Sequence, residues 1–182
     1  MGRKAGKGLC AACLPGVMLL LLINALGCGT TMAITPQVAI RDVKGYQVMG
    51  KILYDGNPDH LPRTVANGNP GESVLSFQFS YQCAYGSDNT SQLLPLFNPL
   101  SIVGFPIGAN TLVVTEKLDV YKEDLLIKSY TATCMMDKTR NLFYEGETYS
   151  ELRKRGLIAA RNNIESQMYE DKDFFANLNA VK

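Results

Sequence analysis

Histidine is almost missing from this chain. His60 is the only one, set in Asp59-His60-Leu61-Pro62 within a stretch rich in turn residues. A lone loop histidine with no nucleophile pattern beside it reads as a surface residue, not a general base. Neither a Gly-x-Ser-x-Gly elbow nor a Walker or dinucleotide glycine pattern occurs, which removes the common hydrolase and nucleotide-binding signatures. Past residue 28 there is no Cys-x-x-Cys pair and no Cys/His cluster, so neither structural zinc nor any other metal or cofactor is implied. Paired carboxylates need only meet in space, but no particular pair stands out. The expectation is a protein that is not an enzyme and has no catalytic residues.

Acidic residues are missing from the first 41 positions, where Arg3, Lys4 and Lys7 precede an apolar stretch from Leu14 to Leu26. A basic start, a short apolar run and small residues at its end make an export signal. A permanent membrane helix would want about 20 uninterrupted apolar residues, and Pro15 and Asn24 break this run.

The run ends in Ala25-Leu26-Gly27-Cys28-Gly29, which resembles the lipobox of bacterial lipoproteins. The commonest form has Leu three residues before the Cys, where this chain has Ala25. The resemblance implies that residues 1–27 are a signal peptide and that Cys28 is acylated as the first mature residue. It also implies a firm tether, because several acyl chains anchor a protein where one holds it only marginally. Gly29, rather than Asp, after the Cys points to the outer membrane, with the protein facing the periplasm. The alternative is ordinary cleavage near Ala33 and a soluble secreted protein.

Without the leader, 15 Lys and Arg face 17 Asp and Glu, a formal charge of −2. That balance gives no support to nucleic-acid binding, which wants a basic face. Two cysteines remain beyond Cys28, namely Cys83 and Cys134. In an oxidising compartment they form a candidate disulfide; the alternative is two buried thiols.

Residues 28–45 read as a lipid-anchored tether, with a short strand offered by Val38–Val43, and residues 46–182 as a single α+β domain. Tyr46 to Tyr54 has the period of two of a strand, and Asp55-Gly56-Asn57-Pro58 ends it with turn chemistry. From Val74 to Tyr85, Leu75, Phe77, Phe79, Tyr81 and Cys83 alternate with polar or small residues, as in a sheet with one solvated face. A hairpin follows, turning at Lys122-Glu123-Asp124, with Glu116 breaking its apolar face. Asp137-Lys138-Thr139 reads as a further turn and Leu142-Phe143-Tyr144 as a short strand. Thr148-Tyr149-Ser150-Glu151 fits a capping box that opens a long amphipathic helix, within which Gly156 offers close packing. The fold expected is an antiparallel sheet of about four to five strands with this C-terminal helix on one face.

Charge is also missing from positions 89 to 115. Three prolines and two glycines exclude a regular helix there. Leu96, Phe97, Ile102, Phe105 and Ile107 are then either an apolar contact surface or a loop folded over the core. Arg153-Lys154-Arg155 sits near the start of the last helix, where positive charge opposes the helix dipole; it is either a second candidate contact surface, for an acidic partner or anionic lipid headgroups, or a solvated helical face.

Leader, size and element order resemble those of small envelope lipoproteins. They imply a non-enzymatic accessory in assembly, transport or secretion, bound to the membrane through its lipid and to another envelope protein. A small-ligand or lipid-binding module with an apolar pocket at Phe77, Phe79 and Tyr81 is the alternative.

Overall fold

The computed structural model describes residues 29–68, 74–87, 108–140 and 146–180. Six strands are ordered β1 (Thr30–Thr35), β6 (Leu125–Arg140), β5 (Gly108–Lys122), β4 (Leu75–Ser87), β2 (Val48–Leu53), β3 (Val65–Asn67) across one sheet. Two helices follow, α1 (Tyr149–Glu170) and α2 (Lys172–Ala180). Of the described residues, one compact unit comprises 32–68, 74–86, 111–136 and 148–180; a second comprises 29–31, 87, 108–110, 137–140 and 146–147.

The expected four- to five-stranded antiparallel sheet with one long helix is not what forms. The sheet has six strands and is mixed, and among the described residues strand outweighs helix. β2 runs parallel to β3, with Val48 opposite Val65, and parallel to β4, with Ile52 opposite Phe77. A period of two marks a strand but not its direction.

Two further differences concern strand placement. Thr30–Thr35, expected in the tether, is the edge strand β1, while Val38–Val43 is not a strand. That later segment lies along α1: the Arg41 N–H donates to Ser166 Oγ at 3.1 Å, Asn163 Nδ2 donates to the Pro36 carbonyl at 2.8 Å, and Val43 is buried. The turn expected at Asp137–Thr139 is absent because β6 runs on to Arg140. Leu142–Tyr144 lies outside the described residues.

The hairpin forms as its sequence suggests. Glu123 and Asp124 both have positive φ, 51° and 67°, the conformation that a tight two-residue hairpin turn requires. Leu112, Val114, Leu118 and Val120 of β5 and Tyr130, Ala132, Cys134 and Met136 of β6 are buried on one face. Leu75, Phe77 and Phe79 extend that face into β4.

Helix α1 covers this face with Leu152, Ala160, Ile164 and Met168. Its start is the expected capping box: the Thr148 side chain accepts from the Glu151 N–H, and the Glu151 carboxylate accepts from the Thr148 N–H at 2.8 Å. Gly156 faces the sheet so closely that a Cβ there would lie 2.5 Å from Met136 Cε and 2.8 Å from Val114 Cγ2. The helix breaks at Asp171, whose carboxylate accepts from the Tyr130 hydroxyl at 2.9 Å and pairs with Lys128 at 2.8 Å. Phe175 of α2 then closes the core beside Tyr130.

Cys83 and Cys134 are free thiols. They sit on β4 and β6, with β5 between them. Two strand spacings amount to about 9.5 Å, beyond the roughly 7 Å that a disulfide spans between Cα atoms. The candidate bond does not form.

Within the second unit, Thr139 Oγ1 both donates to the Gly29 carbonyl at 3.1 Å and accepts from the Gly29 N–H at 3.2 Å. Glu147 accepts from Thr30 Oγ1 through its carboxylate at 3.1 Å and from the Lys138 ammonium through its backbone carbonyl.

Candidate functional site

The chemistry-bearing side chains gather where the first half of α1 faces a 3-10 turn, Pro58–His60. Asn57 initiates that turn: its Oδ1 accepts from the Asp59 N–H at 3.0 Å while Pro58 fixes the first helical position. Arg161 ties the turn to the helix by donating from Nη1 to the Asp59 carbonyl at 2.7 Å. Between them lies a cleft of about 590 Å³, within the range of roughly 300–1,000 Å³ common for ligand sites.

The helix side of the cleft is Ser150, Arg153, Lys154, Leu157, Ile158 and Arg161. These fall at intervals of three and four residues, one stripe of an α-helix. The opposite wall is Asn57, Asp59 and His60. The stripe is cationic at its N-terminal end, apolar at Leu157 and Ile158, and closed by Arg161.

Tyr81 joins the two walls. Its ring meets the edge of His60 at 5.1 Å, and its hydroxyl accepts from Arg153 Nη2 at 3.1 Å. The Arg153 guanidinium also lies 5.8 Å from the Tyr81 ring centroid, within cation–π reach. The hydrogen bond to Tyr81 raises the Arg153 pKa above its ordinary value, so the guanidinium stays charged.

Behind Arg161 the core holds a second group of charges. Glu165 is 1% exposed and grips Arg63 through Nη2 at 2.6 Å and Nε at 3.0 Å, while also accepting from the Arg63 N–H at 2.7 Å. Arg161 Nε approaches Glu165 Oε1 at 3.7 Å but makes no hydrogen bond. Glu116 of β5, fully buried among Leu112, Val114 and Leu118, has no partner for either carboxylate oxygen. Burial pushes its pKa up from 4.5 to about 8; nearby Arg161 opposes that shift and Glu165 adds to it. Glu116 is therefore largely protonated at neutral pH.

The basic run is sorted by the helix. Arg153 and Lys154 line the cleft, and Arg155 does not. Arg161, His60 and Glu116 were not singled out as site residues from sequence. The signal for Arg161 was the three-and-four spacing carried on from Arg153 and Lys154. For Glu116 it was the acid on an otherwise apolar strand face.

Cys28 and the apolar candidates Leu96, Phe97, Ile102, Phe105 and Ile107 lie outside the described residues. Phe77 and Phe79, expected around an apolar pocket, are 0% and 4% exposed within the core, so no water-sized space opens against Phe77. Among the described residues, no group of three or more His, Cys, Asp or Glu side chains is placed to hold a metal ion. Nor is any helix among them long and apolar enough to cross a membrane. No known protein family and no curated protein matches this chain.

Proposed function

We propose that this protein is a lipid-anchored accessory of the bacterial envelope, tethered through Cys28, which acts without catalysis by holding another envelope protein at the α1 cleft. In this reading residues 1–27 direct export. The acylated chain then belongs to the outer membrane and faces the periplasm, in assembly, transport or secretion. The leader residues Arg3, Lys4, Lys7 and Gly27-Cys28 support the tether.

The observation that carries the binding role is the paired cation end of the cleft. Arg153 and Lys154 stand beside an apolar floor in the second turn of α1, and among the described residues Lys154 has no ion-pair partner. Two adjacent cations without an acidic neighbour in the cleft are complementary to an acidic partner.

The test is photocrosslinking in intact cells from position 158, which lines the cleft and is 40% exposed. The expected result is capture of one defined envelope protein, lost when Lys154→Glu is added. Capture that survives Lys154→Glu, or that is spread over many proteins, would refute the binding role.

A further inference from the structure

We propose that the α1 cleft recognises a short extended peptide segment of its partner in which an acidic residue is followed, two positions on, by a large apolar one. The carboxylate sits between Arg153 and Lys154, and the apolar side chain lies on Leu157 and Ile158. This inference rests on the reading of the cleft as the contact site and adds the chemistry of the occupant.

The charge at the N-terminal end of the cleft is unspent. Among the described residues Lys154 has no ion-pair partner, and the partner of Arg153 is the neutral Tyr81 hydroxyl. Glu151, the acid one turn away, is engaged by Thr148 through both Thr148 N and Oγ1 at 2.8 Å. The Arg161 end is different, because its guanidinium already serves the Asp59 carbonyl and lies beside Glu165. One anionic group is therefore wanted, and it is wanted at Arg153 and Lys154.

The spacing follows from the helix. Leu157 and Ile158 lie four residues beyond the two cations, a rise of about 6 Å. In an extended peptide, side chains on the same face repeat every two residues, about 6.6 Å. An acidic residue and an apolar residue at i and i+2 match both subsites at once.

The far wall suits a peptide better than a lipid headgroup. Asn57 spends its side-chain oxygen on the Asp59 N–H, which leaves its amide N–H groups for a peptide carbonyl. The Asp59 carboxylate is an acceptor for a peptide N–H, which a lipid headgroup without N–H donors does not supply. The cleft joins a cationic end to a small apolar floor inside a polar rim, the pattern of side-chain recognition.

The test uses the full chain held in neutral-detergent micelles, with fluorescence anisotropy of a labelled heptapeptide, Gly-Ser-Glu-Ser-Leu-Ser-Gly. Saturable binding is expected that weakens at least tenfold when the peptide Glu becomes Gln, and likewise with Lys154→Glu. Arg153→Gln gives a second variant, and Arg155→Glu, which alters the same helix outside the cleft, leaves binding within twofold. Equal affinity for the Glu and Gln peptides, no binding up to millimolar peptide, or equal loss with Arg155→Glu each overturns the proposal. A parallel arm dopes the micelles with phosphatidylglycerol or phosphatidylcholine. Competition by the anionic lipid alone, through Lys154, would assign the cleft to a headgroup and reject the peptide. Failure of the anchoring reading would be read separately, as unchanged membrane association of Cys28→Ser, and does not affect this binding measurement.

Discussion

Replacing Glu116 by Gln should change how stability depends on pH, and the sign follows from burial. The carboxyl titrates near 4.5 when the chain is unfolded and near 8 in the folded protein. The folded state therefore holds this proton more tightly. Its contribution to stability is fully present below about pH 4.5, falls as pH rises through the interval, and levels off above about pH 8. At about 1.4 kcal/mol per pKa unit, the whole interval amounts to roughly 5 kcal/mol, of which about 3 kcal/mol is lost by pH 7. Water entering beside the ionised group, or a swing of Arg161 toward it, would reduce the figure without changing its sign. Gln keeps the shape and the polar atoms and removes the titration.

Urea unfolding of both proteins at pH 5, 7 and 8.5 measures the effect. The stability of Glu116→Gln relative to the parent should rise steadily across that series, by several kcal/mol in all. The groups packed near Glu116, namely Arg161, Glu165, Tyr54 and Cys134, are shared by the two proteins, so only their coupling to the Glu116 charge enters the difference. Parallel pH profiles would show that Glu116 is paired or hydrated in solution, and the account of the buried acid would be wrong.

Other predictions concern the parts that position the cleft. Gly156→Ala gains about 1 kcal/mol of helix propensity but drives a methyl into Val114 and Met136, which costs roughly 1–3 kcal/mol; thermal unfolding should show a net loss. Arg63→Ala leaves the buried Glu165 carboxylate with the backbone N–H of its former partner and the more distant Arg161 guanidinium at 3.7 Å. A loss of roughly 1–3 kcal/mol is expected, held below that of a fully buried pair because the Arg63 side chain is 61% exposed. Asp171→Ala removes the acceptor of the buried Tyr130 hydroxyl and should cost about 1–3 kcal/mol by urea unfolding. Tyr130 titrates far above its ordinary value, through burial first and Asp171 second, so no Tyr130 ionisation should appear by absorbance up to pH 11.

Much of the sheet could be read from alternation. The β4 face from Leu75 to Phe79 and the β5–β6 hairpin stand where the period of two put them, and the Thr148 capping box opened α1 as its residues required. What alternation could not carry was pairing. Thr30–Thr35 has no apolar face to announce an edge strand, and β3 is three residues long. The parallel register of β2 with both neighbours is not encoded in a period of two. The helix break at Asp171 had no Gly or Pro to mark it, since it is held by Lys128 and Tyr130 from a distant strand. The basic run was visible at once, but its division into cleft and non-cleft residues needed the helix phase. Glu116 looked like an error in a strand and proved to be a buried acid, because a charge on an apolar face can be met by neutralisation as well as by a partner.

The central claim is that a membrane-tethered chain presents this cleft to an envelope partner, and the tether is the part open to the most direct measurement. Intact mass and membrane fractionation of the native protein and of Cys28→Ser would decide it. The account predicts a mature N-terminus at Cys28 carrying added acyl mass, with both the acyl mass and membrane association lost in Cys28→Ser. Cleavage near Ala33 without acyl mass, and a soluble protein in both cases, would contradict it.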